Sequence, residues 1–111
     1  MCDSITEKGA ASVTQSILMY RRQYHDRKGT KYDLEYYLLI DQVVFGCNSL
    51  DIYGARIEHY SGGELLAQRT IRGITPFGPQ ITTVINRLAD GLILPGAMER
   101  MVFNGETLAR R

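Results

Sequence analysis

The sequence predicts an α+β domain: an antiparallel sheet of about four strands with two C-terminal helices packed on one of its faces. Three observations carry this. "YDLEYYLLI", from Tyr32 onward, alternates in the period of two of a strand with one buried face, and glycine-bearing turns such as "SGGE" at 61–64 divide further strand-sized runs. Beyond residue 75 the period becomes helical.

The segment "SVTQSILMYRRQY", residues 12–24, reads as a helix through Val13, Ile17, Tyr20 and Tyr24, or as a strand in which Ile17, Met19 and Arg21 oppose Leu18, Tyr20 and Arg22. The strand is favoured, because the polar, glycine-containing "HDRKGTK" then joins it to its sequence neighbour as a hairpin. The next strand, Tyr32 to Val43, places Tyr32, Leu34, Tyr36, Leu38 and Ile40 on one face and Asp33, Glu35, Tyr37, Leu39 and Asp41 on the other. "FGCNSL" suits a turn, "DIYGARIEHY" a third strand, and "SGGE" a tight hairpin leading to a fourth at Leu65–Ile71.

Phe77, Ile81, Val84, Ile85 and Leu88 then form one apolar helical stripe, with Thr75 as the expected cap, Pro79 tolerated in the first turn and Asp90-Gly91 as the stop. After the apolar "LIL", a second helix starts at Pro95, with Ala97, Met98, Met101 and Val102 inward, and ends at Asn104-Gly105. The chain therefore reads as one domain over 13–103, with flexible ends at 1–12 and 104–111.

Three of these pieces, "YDLEYYLLI", "IYGARIEHYSGGELLAQRTIRGIT" and "ITTVINRLADGLILPGAMERMV", in that order, resemble a family of small proteins from Firmicutes, mainly Clostridia, known only as a domain of unknown function. The likeness spans about residues 30–103. It implies a bacterial cytosolic protein, and it brings no activity, cofactor or catalytic residue with it.

Thirteen Lys and Arg against twelve Asp and Glu leave a formal charge of +1, so no global field draws the chain to nucleic acid or anionic lipid. Local patches have to supply any electrostatic function. No apolar run reaches the roughly 20 residues of a membrane span, and "MCDSITEKGAAS" lacks the pattern of a signal peptide. The two cysteines, Cys2 and Cys47, are expected as free thiols in a reducing, cytoplasmic setting.

The basic stretch "MYRRQYHDRKGTKY", residues 19–32, is the most conspicuous local patch. As a hairpin it spreads its cations, Arg21 and Arg22 to opposite faces and Arg27 and Lys28 at the tip, which guards an exposed edge against stray pairing. The competing reading has Arg21, Arg27, Lys28 and Lys31 on phosphates and Tyr20 or Tyr24 stacked on a base. Near-neutral charge and the lack of a nucleic-acid motif weigh against it.

His25, His59, Cys2 and Cys47 have no paired metal-ligand spacing, and neither "SGGE" nor "GITPFGPQ" has the residues of a phosphate loop. A nucleophile's trio has one candidate set, Cys47, His59 and Asp51. Two helices cover only one sheet face, so the other, bearing Tyr37 and Leu39, is expected to be wet or to meet a partner. The leading expectation is a non-enzymatic interaction or adaptor module without a cofactor, whose surface includes Arg21, Arg22, Arg27, Lys28, Lys31 and Tyr37 and whose partner is an unidentified protein or a second copy. A nucleic-acid-associated regulator using the basic hairpin is the alternative, and a small enzyme with Cys47 as nucleophile comes third.

Overall fold

A computed structural model describes the backbone of residues 11–103 and the side chains of residues 15–44 and 46–103. Four strands, β1 (Ala11–His25), β2 (Lys31–Phe45), β3 (Asn48–Ser61) and β4 (Glu64–Thr75), form one antiparallel meander in the order β1-β2-β3-β4. Helix α1 (Gly78–Asp90), a 3₁₀ turn (Pro95–Ala97) and the short helix α2 (Met98–Phe103) follow. The α+β architecture is the one the periodicities predict. Apart from residues 11 and 12, which open β1, the expected flexible ends lie outside the described residues.

The strand reading of the N-terminal segment holds, and the β1–β2 turn shows why. Asp26 Oδ1 accepts the backbone N–H groups of Lys28 at 2.8 Å and Thr30 at 3.0 Å, while Tyr32 donates its hydroxyl to Oδ2 at 3.2 Å. Gly29 supplies the left-handed residue, at φ 87°. These bonds to the ionised carboxyl, the one from Thr30 foremost, hold Asp26 below the usual carboxylate range.

One face of the sheet carries the core. Leu34, Tyr36, Ala55, Ile57 and Ile71 pack there against Ile81, Ile85, Leu88 and Ala89 of α1 and Met98 of α2. Fully burying each large side chain contributes about 1.5–3 kcal/mol. Tyr36 also donates its hydroxyl to the Ile93 carbonyl at 3.0 Å, and burial pushes its pKa far up. Tyr20 bonds Asn86, and Arg69 pairs with Glu99, so β1 and β4 are each tied to the helical layer.

Two details of α1 differ from expectation. Its N-cap is Phe77 and not Thr75; Thr75 stands two residues earlier, where its Oγ1 accepts the Phe77 N–H at 3.1 Å and donates to Gln80 at 2.6 Å. Past Gly91, which has a negative φ, Leu92 takes the left-handed turn at φ 52°.

A 13-residue helix is about 20 Å long, whereas a 15-residue strand runs about 50 Å. The helices therefore cover only the middle of a slab measuring 61 × 36 × 18 Å. No described helix is long and apolar enough to cross a membrane.

Candidate functional site: the open face of the sheet

The register sets the composition of the face opposite the helices. Arg21 on β1 lies across from Glu35 on β2, which faces Glu58 on β3 and then Gln68 on β4. The next row runs Leu18, Tyr37, Arg56, Thr70, and the one on the other side starts Gln23, Asp33, Tyr60. Like charges directly opposite each other destabilise a sheet, so the Glu35 and Glu58 pair needs compensation.

Two arginines and two tyrosines provide it. Arg21 binds Glu35 through Nη2 at 2.9 Å and Nε at 3.0 Å, while Arg56 Nε lies 2.8 Å from Glu58, close but poorly aligned for a hydrogen bond. Tyr37 donates to Glu35 at 2.6 Å and Tyr60 to Glu58 at 2.5 Å. Arg56 also stacks its guanidinium 4.5 Å from the centre of the Tyr37 ring. The bond to Glu58 raises the Tyr60 hydroxyl to about 12, and the bond to Glu35 pushes that of Tyr37 up further.

Farther along the same face, Leu39 is only 1 % exposed although no helix lies over it. This corrects the expectation that it is wet or awaits a partner. Leu39 faces Gly54, and β4 crosses close there: a Cβ on Gly54 would come 2.4 Å from the Ile71 carbonyl oxygen. Three residues of β4 bulge against this one glycine, and Arg72 extends to Asp41 on β2 at 3.8 Å, shielding the leucine.

The other expected surface residues separate. Arg22 turns to the helix side and lies 4.7 Å over the Tyr20 ring. Arg27 and Lys28 occupy the hairpin tip and Lys31 opens β2, all exposed, and none has a carboxylate at ion-pairing distance among the described residues. Tyr37, Arg21 and the carboxylates belong to one lattice; the tip cations do not. Glu35, Arg56, Glu58 and Tyr60 were absent from the expected surface, yet their signal was present in the even and odd positions of β2 and β3.

The nucleophile's trio does not assemble. Cys47 is disulfide-bonded and no described cysteine is free, which also removes the thiol argument for a reducing compartment; Cys2 lies outside the described residues. Cys47 sits in the β2–β3 turn, and His59 is about 35 Å away along β3 at the strand rise. There His59 Nε2 lies 2.9 Å from the Tyr24 hydroxyl beside the Tyr32 ring, and burial lowers its pKa. Among the described residues no group of three or more His, Cys, Asp and Glu is placed to hold a metal ion.

No curated protein and no solved structure matches the chain. One family does, over residues 15–103, the stretch that runs from within β1 to the end of α2. The chain belongs to that family, described as Family of unknown function (DUF6514).

Proposed function

We propose that the chain is a non-enzymatic interaction module that meets a protein partner with the open face of its sheet. The observation that carries this is the lattice of Arg21, Glu35, Tyr37, Arg56, Glu58 and Tyr60, which fixes arginine and tyrosine side chains on a surface that no described element covers. Arginine and tyrosine are among the side chains that most often anchor protein interfaces. Holding them in place beforehand lowers the entropy lost on binding.

The charge of this face favours protein over nucleic acid. Lys31, Arg21, Arg56 and Arg72 share it with Asp33, Glu35, Glu58 and Asp41, so carboxylates match the cations one for one where a phosphate backbone would lie. Arg27 and Lys28 stand apart at the hairpin tip, too few for a backbone-tracking groove.

The test is affinity capture from the cells in which the protein is made, with paired variants. Gln68→Glu with Thr70→Glu alters exposed positions on the open face, and Thr82→Glu with Thr83→Glu alters exposed positions on α1. The reading expects a partner, or a second copy, retained by the helix pair and lost by the sheet pair. Loss with the helix pair alone would overturn it.

A further inference from the structure

The open face has a recess at the end nearer the β1–β2 turn. Arg21, Gln23, Asp33, Glu35, Tyr60 and Gly63 line a shallow, widely solvent-open depression of about 430 Å³. Its charges do not balance. Arg21 neutralises Glu35 through its two hydrogen bonds, whereas Asp33 has no ion pair among the described residues. One oxygen of that carboxylate, Oδ1, is buried without a hydrogen-bond partner.

A carboxylate oxygen left in that state is costly and calls for a physical reason. A second carboxylate, Glu58, stands across from Glu35, with one oxygen accepting the Tyr60 hydroxyl and the other 2.8 Å from Arg56 Nε. The Tyr60 hydroxyl, having donated its proton to Glu58, still offers an acceptor lone pair at the wall of the recess. The recess thus presents acceptors and, in Asp33, a carboxylate without an ion pair among the described residues, while Arg21, the cation lining it, is already engaged.

We infer that this recess receives the guanidinium of an arginine carried by the partner polypeptide, with the Asp33 carboxylate as its counter-charge. The inference rests on the open face being the interaction surface. A metal ion fits poorly, because the described carboxylates and histidines form no coordinating group of three. A guanidinium fits well, since its planar fork matches a carboxylate and it gives up its hydration more readily than an ammonium. The carboxylate meets it by turning about χ2, a soft torsion in aspartate.

The experiment is a titration of isotope-labelled full chain with a blocked Gly-Arg-Gly peptide, followed through the backbone amide resonances. Saturable shifts are expected at Gln23, Asp33 and Gly63, and a peptide with citrulline in place of arginine should produce none. Asp33→Asn should weaken the arginine peptide about tenfold or more, the loss of one charged hydrogen bond. Equal shifts from the citrulline peptide, or no saturable shift in the parent protein, would overturn the inference without relying on any variant. Spermidine saturating the same resonances at lower concentration than the peptide would also overturn it, making this a site for a free polyamine. If the peptide fails while the Gln68→Glu, Thr70→Glu pair still abolishes capture, only the arginine site falls and the open-face reading stands.

Discussion

Replacing Gly54 with Ala is the most informative single change for the fold. Gly54 does not have a positive φ, so alanine costs nothing in backbone conformation there, and any penalty is steric. The new Cβ would lie 2.4 Å from the Ile71 carbonyl oxygen and 2.8 Å from the Arg72 Cα, against about 3.4 Å for an ordinary contact. Both are backbone atoms, which no rotamer change can move. β4 would have to retreat by about 1 Å, opening the bulge that shields Leu39 and lengthening the reach of Arg72 to Asp41. Overpacking of this kind costs about 1–3 kcal/mol, and disturbed pairing along β3 and β4 places Gly54→Ala at the upper end. Urea unfolding followed by circular dichroism measures it, with Gly78→Ala as a control because nothing stands within 4 Å of the Cβ it would add. A loss below about 0.5 kcal/mol, the range of ordinary surface changes, would refute the close crossing of β4.

Leu88→Ala should cost about 2–5 kcal/mol in the same assay, since Leu88, at the C-terminal end of the α1 stripe, is 2 % exposed; an unchanged midpoint would contradict the packing. At alkaline pH the Tyr60 hydroxyl, raised from 10.0 to about 12, binds its proton more tightly folded than unfolded, so the stability it contributes is complete below pH 10 and is lost between about 10 and 12. Tyr60→Phe should flatten that part of the stability profile, and a profile identical to that of the parent would speak against the bond to Glu58. His59 has the opposite sign: burial lowers its folded pKa, so the stability it contributes is present above about 6.5 and falls away as the pH drops through its folded value. Resonances of the His59 ring followed through a pH titration check this, and a midpoint above the ordinary histidine value would exclude burial as the dominant influence.

The alternation from Tyr32 to Asp41 was enough to sort β2 onto its two faces, and the helical stripe ending at Leu88 was enough to place α1, because both patterns are set by local geometry. The hairpin reading of residues 19–32 followed from Gly29 and the polar turn. What stayed hidden depended on register and on chain crossings. No local rule says that Glu35 lies opposite Glu58, or that Arg56 rather than Arg22 joins their lattice; the first follows from the β2–β3 alignment, and the second also from the β1–β2 alignment, which sets Arg22 opposite the core residue Leu34. The burial of Leu39 was out of reach for the same reason, since it is produced by a bulge around Gly54 on a strand that is two positions away in the sheet. Thr75 was legible as a polar residue near a helix start, but its exact station, two residues before the N-cap, depends on how Pro76 and Phe77 leave β4.

The central claim, that the open face meets the partner, is tested most directly by site-specific photocrosslinking in the cells that make the protein. A photoreactive residue at Thr70 lies on the open face beside Arg56, and one at Thr83 lies on the exposed side of α1. Position 70 should give a discrete adduct with one protein, or with a second copy of the chain, and position 83 should give none. A discrete adduct from position 83 with none from position 70 would place the partner on the helical layer and contradict the account.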